Sequence, residues 1–199
     1  MKKLLLIAAV AMISISAKGQ QKASMPMDTV PMIDGIYQYQ EVVNVDSTLK
    51  KDQLYKNAKA YFMNVFIGAK DAFQYDDREE GKIIGKGYLS VADYKSVFPG
   101  VAALKLDIIY NVEVTCKDGK YKYRFYDMII TRESHVAESN YRNVHLTVKE
   151  AYDGIPKQRG PYKTLYPRVM NKMIAEFKAN INTLKDNMIR KQADLSANF

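Results

Sequence analysis

The chain has 199 residues, 47% hydrophobic and 26% charged, with a formal net charge of +8 and a single cysteine. That length suits one domain able to bury about 70% of its unfolded surface, so no disulfide is needed to fold it, and one cysteine cannot supply one internally. The charge excess is mild; it favours weak attraction to anionic surfaces and is not by itself a nucleic-acid signature.

The first twenty residues follow the three-part plan of a secretory signal peptide. Lys2 and Lys3 give a positive start, Leu4 to Ile13 an apolar run, and Ala17 and Gly19 the small residues ahead of a cut before Gln20. The run is shorter than the ~20 residues of a membrane-spanning helix. No later stretch is long and apolar enough either, so the mature chain is expected to carry no transmembrane segment. The expected location is exported: periplasmic, or secreted, after cleavage near Gly19. Cleavage removes Lys2, Lys3 and Lys18, and export argues against a nucleic-acid partner. Residues 1–19 are read as the signal, 20–35 as a flexible lead ending in an Asp34-Gly35 turn, and 36–199 as one domain.

Ile36 to Val45 alternates, with Tyr37, Tyr39, Val43 and Val45 on one parity, and predicts a first strand. Asp46, Ser47 and Thr48 are capping residue types. Behind them Leu54, Ala58, Tyr61, Phe62, Val65 and Ala69 recur at spacings of three and four, the stripe of an amphipathic helix. Ala72 to Tyr75 reads as a short strand, Asp76 to Gly81 as a polar turn, and Lys82 to Val91 as the returning strand. Gly85 and Gly87 share its apolar face, which predicts a close approach there, by a helix.

The clearest hairpin follows. From Leu104 to Val114 every even position is apolar or aromatic, and Asp118-Gly119 is a favoured pair for a type I′ turn. A two-residue loop sets Cys116 against Tyr121, Val114 against Tyr123 and Val112 against Phe125. On the other face Glu113 meets Arg124 and Thr115 meets Lys122. A one-residue slip would turn every side chain to the wrong face, which the burial pattern rejects. Cys116 falls on the inner face, as a buried and inert thiol would. Carried further from the turn, the register puts Asn111 opposite Tyr126 and Ile109 opposite Met128, with Ile130 continuing the row. The outer face is thus expected to be charged near the turn and apolar at its far end.

Ser134 to Pro161 is irregular, although Val144, Leu146 and Val148 alternate as one more strand near 144–148 would. A long helix is predicted from about Pro167, which suits a first turn, to about Ala193. Met170, Ile174, Phe177, Ile181, Leu184 and Met188 form its seam, better used to cover the sheet than as a coiled coil.

The expected fold class is α+β: a curved antiparallel sheet covered on one face by two helices, in the order β-α-β-β-β-β-α. Its motifs are Glu41-Val42-Val43-Asn44-Val45, Lys51-Asp52-Gln53-Leu54-Tyr55, Gly81-Lys82-Ile83-Ile84-Gly85-Lys86-Gly87 and Lys117-Asp118-Gly119-Lys120-Tyr121-Lys122-Tyr123. With these the chain resembles a family of exported bacterial proteins known as a domain of unknown function with a TATA-binding-protein-like (TBP-like) fold. The resemblance spans roughly residues 36–132. It implies the fold and a secretory setting but no activity, since none of the motifs is catalytic. DNA bending by such a fold uses a duplicated saddle, and only one unit is present here.

Chemistry-bearing groups are sparse. His135 and His145 match no zinc spacing, and the chain has no Gly-x-Ser-x-Gly elbow and no Gly-x-x-x-x-Gly-Lys loop. Asp76, Asp77, Glu79 and Glu80 do not follow an EF-hand. No catalytic residue, metal or cofactor is therefore expected. Lys120, Lys122 and Arg124 form a basic row, either a solvated face or an anionic-ligand site. Ile109, Tyr126, Met128 and Ile130 form the candidate ligand or partner patch. The leading reading is a non-enzymatic exported binding or protein-interaction module whose partner is an unidentified protein or small ligand of the cell envelope. The alternative is an envelope-associated hydrolase in which the Asp76 acids and the histidines converge. The oligomeric state is open.

Overall fold

A computed structural model describes residues 27–66, 73–98, 100–136 and 140–190, with side chains at all of these except 133–136 and 140–143. Residues 1–19, expected to be the signal, Ala69 and the His135 side chain lie outside the described residues. The domain begins before Ile36. Val30 is buried and its amide donates to the Tyr152 hydroxyl at 2.7 Å, while Asp28 pairs with Lys178 at 2.7 Å. Residues 27–35 are thus docked rather than a flexible lead. Val30 is the one buried side chain among them, which leaves no period to read. A ribbon of β1 (Met32–Ile33) and β2 (Ile36–Tyr37) closes on Asp34-Gly35, whose φ angles are 52° and 77°, as a type I′ turn requires.

The remaining elements are β3 (Tyr39–Asn44), α1 (Lys51–Val65), β4 (Phe73–Asp77), β5 (Lys82–Val97), β6 (Gly100–Lys117), β7 (Lys120–Val136), β8 (Asn140–Thr147), α2 (Val148–Gly154) and α3 (Tyr162–Met188). The strands form one open antiparallel sheet in the order β3-β7-β6-β5-β4. β8 also pairs with β7: β3 takes Lys120–Phe125 and β8 takes Ile129–Val136, end to end along one edge. The extra strand is therefore real, but Val148 leaves it to start α2. There Thr147 and Glu150 form a capping box, a Thr-x-x-Glu signal present in the sequence.

α1 and α3 cover one face. Leu54, Ala58, Tyr61 and Phe62 of α1 and the whole seam from Met170 to Met188 of α3 are buried. They meet Ile83, Val112, Val114 and Phe125 from the sheet, and Phe177 packs edge-on against Tyr110 with ring centroids 4.8 Å apart. Each large apolar side chain buried this way is worth about 1.5–3 kcal/mol. α3 starts a turn earlier than Pro167 signals, because Leu165 and Tyr166 already anchor it in the core. Pro167 lies inside the helix. α1 receives no cap from Asp46, Ser47 or Thr48. Asp118, in the β6–β7 turn, accepts from the Lys51 amide at 2.8 Å instead. That contact also shapes the turn: of its two residues only Gly119 takes a left-handed φ, 69°, so it is not type I′.

The β6–β7 pairs expected near the turn are all present, from Cys116 with Tyr121 to Asn111 with Tyr126. Beyond them β7 carries a bulge, where Asp127 and Met128 together face Tyr110 and Asp127 takes φ 52°. The extra residue reverses the parity, so Ile109 pairs with Ile129 and not with Met128. Met128 (4% exposed) and Ile130 (0%) consequently point into the core and leave the expected outer patch.

Candidate binding face

The helices cover one side of the sheet, and among the described residues the other side is left open. Four successive rungs cross it. Nearest the β6–β7 turn lie Lys122, Thr115 and Lys82. Next come Arg124, Glu113 and Ile84, then Tyr126, Asn111 and Lys86, then Ile129, Ile109 and Tyr88, with Thr147 of β8 flanking Ile129.

The Arg124 rung is electrostatically closed. Glu113 lies 3.7 Å from Lys82 and 3.9 Å from Arg124. Arg124 also donates twice to Gln38 Oε1 and sits 4.5 Å above the Tyr126 ring. Arg124 is therefore separated from the basic row expected with Lys120 and Lys122, and Tyr126 lies half-buried beneath it. The Ile129 rung is the apolar one. Tyr88 is 61% exposed, and Ile109 and Ile129 are 40% each. Of the four expected patch residues, Ile109 and Tyr126 are on this face, and Tyr88 and Ile129 take the places given to Met128 and Ile130. Tyr88 could have been found by extending the hairpin register one strand further, to β5. Ile129 could not, without the bulge. Among the described residues a groove of about 290 Å³ opens at the turn end, lined by Val42, Thr115, Lys117, Lys120, Tyr121 and Lys122.

The remaining candidates scatter. Asp76 is held by Lys59 at 2.6 Å and by the Tyr55 hydroxyl, which keeps its carboxyl below the usual range although burial works the other way. Asp77 accepts from the Glu80 amide, a turn contact. His145 meets Thr131 across the β7–β8 pair, Nδ1 to Oγ1 at 2.9 Å, on the exposed sheet surface. Asp76 belongs to β4 at one edge of the sheet and His145 to β8 at the other, so the acids and the histidine do not converge. Among the described residues no three His, Cys, Asp or Glu side chains gather as metal ligands, and no helix is long and apolar enough to cross a membrane.

Two solved structures share this architecture. One is a DUF4468 family protein from Bacteroides ovatus, 13% identical, covering 82% of this chain and 92% of its own, with a TM-score of 0.51. The other is a TBP-like protein from Parabacteroides distasonis, also 13% identical with a TM-score of 0.51, covering 79% of this chain and 97% of its own. At that identity the likeness is one of fold. No curated protein matches the chain. The fold is TBP-like, and residues 39–130 carry the match to the family described as a domain of unknown function (DUF4468) with TBP-like fold, the family that the sequence motifs resemble.

Proposed function

We propose that the chain is an exported, non-enzymatic binding module that presents the open face of its sheet to a protein partner in the cell envelope. The observation that carries this reading is the Tyr88–Ile109–Ile129 rung: three large apolar side chains, in register on adjacent strands and open to solvent. Contiguous exposed apolar surface is costly in water, and patches of this kind mark interaction sites. Among the described residues the Thr131–His145 pair is the contact the hydrolase alternative has, but it lies on the exposed sheet surface at the edge opposite Asp76, so no acid from that group stands behind the histidine.

The test compares recovery of envelope proteins on wild-type chain and on a Tyr88→Ser/Ile129→Ser variant of equal thermal stability. A partner captured by the wild type and lost by the variant supports the reading, and identical recovery ends it. Mass spectrometry of the exported protein should find Gln20 as its first residue; retention of the first nineteen would remove the secretory setting.

A further inference from the structure

We propose that the groove over the β6–β7 turn binds a small phosphate-bearing ligand through Lys117, Lys120 and Lys122. This site lies at the other end of the open face from the apolar rung, and either can fail without the other.

The turn places Lys117 and Lys120 directly opposite each other. Like charges in that position destabilise a strand pair. Neutral neighbours do nothing to relieve them: Lys120 pairs with Asn44 on β3, and Lys122 lies between Val42 and Thr115. Two nearby acids are committed elsewhere. Asp118, inside the turn, spends its carboxylate on the Lys51 amide at 2.8 Å, and Glu113, one rung along, serves Lys82 and Arg124. Among the described residues none accepts a hydrogen bond from the three ammonium groups. Local charge pairing broken in this way, without a compensating contact, is what a binding site produces.

The shape selects the ligand. A volume of about 290 Å³ is at the small end of ligand sites and matches one phosphorylated small molecule or headgroup. Lysine ammoniums are compact point charges suited to phosphate oxygens, and three of them exceed the charge of a phosphate monoester dianion. The Val42 side chain, 56% exposed at the wall, offers apolar contact to the carbon skeleton beside the phosphate.

The test uses the mature chain at fixed ionic strength, titrated calorimetrically with glycerol phosphate. Vesicles of phosphatidylcholine with and without phosphatidic acid form a second arm. Three proteins are compared: wild type, Lys120→Gln/Lys122→Gln, and Lys86→Gln, an exposed lysine of the same face outside the groove. All substitutions are at exposed positions, and equal melting temperatures confirm folding. Binding by wild type and Lys86→Gln, weakened about tenfold or more in the double variant, is the expected result. A response to soluble glycerol phosphate identifies a free ligand; a response confined to phosphatidic acid vesicles identifies a lipid headgroup. Absence of wild-type binding in both arms overturns the proposal. So does a loss that Lys86→Gln reproduces, because net charge alone would then explain it.

Discussion

Arg168 of α3 lies 2.8 Å from Asp93, a carboxylate that β5 points into the helix-covered side of the sheet. Asp93 is 6% exposed; it also accepts from the Tyr94 amide at 2.8 Å and lies 3.4 Å from Lys172, whose ammonium reaches on to the Ala92 carbonyl. The two cations keep partial access to water, whereas the acid does not. Removal should therefore be asymmetric. Asp93→Asn releases cations that solvent can take up and should cost about 1–2 kcal/mol. Arg168→Leu/Lys172→Leu strands a buried charge and should cost about 3–5 kcal/mol. Urea unfolding of both variants decides it; equal losses would mean that the acid is solvated in the folded state.

Gly87 locks the sheet to the end of α1. A Cβ there would stand 2.5 Å from the Tyr110 ring and 2.8 Å from Phe66. Tyr110 cannot swing aside freely, because Phe177 of α3 packs on it. Gly87→Ala should lower stability by about 1–3 kcal/mol, the usual range for overpacking a filled core. A melting temperature unchanged from wild type would show that the contact has slack.

These two sites bound what the sequence makes legible. Period carried β3 to β7, both covering helices, and the β6–β7 register as far as Asn111 with Tyr126, because each of those signals is local; the single strand expected over Ile36 to Val45 divides instead into β2 and β3, which belong to different sheets. The glycine pattern on β5 announced a close approach. It did not announce that a neighbouring strand's tyrosine would make most of it. Asp118 as the cap of α1 was illegible, since the contact joins residues 67 apart in sequence. So was the parity reversal at Asp127, which moved half of the expected patch into the core. One residue of bulge outweighed a run of correct alternation.

Cys116 lies among buried side chains of the inner face, and burial pushes its thiol up to about 12. The thiolate is the reactive form, so labelling by a disulfide reagent near pH 8 should wait for opening of the sheet. Stoichiometric labelling within the mixing time in native buffer, with full labelling in denaturant as reference, would contradict the burial.

Glu41 accepts from Lys185 at 2.6 Å and from the Tyr123 hydroxyl at 2.8 Å, and these contacts hold its carboxyl below the usual carboxylate range. A folded-state pKa below the unfolded one contributes stability that is present above the unfolded value and is lost as pH falls through the folded one. Glu41→Gln should thus cost a few tenths to about 1 kcal/mol at neutral pH, the range for an exposed pair. The difference from wild type should shrink in acid, below the carboxylate range. Melting curves for both proteins across that interval test the sign; a gap that widened in acid would reverse it.

Asp127 has a left-handed backbone without being glycine, held in part by Asn111, whose amide donates to its carboxylate at 3.2 Å. Aspartate tolerates that region, and a β-branched residue does not. Asp127→Gly should stay within about 0.5 kcal/mol of wild type, exchanging the side-chain hydrogen bond for relief of the backbone. Asp127→Val should cost about 1–2 kcal/mol from the backbone alone, or else shift the bulge to another residue. A shifted bulge has a visible consequence: residues near 127 change face, so the inner burial of Met128 and the exposure of Ile129 are altered together. Hydrogen exchange on β7 reads that shift separately from stability. If Val proves as well tolerated as Gly with the exchange pattern unchanged, the left-handed residue is not what reverses the parity, and the composition of the open face has another cause.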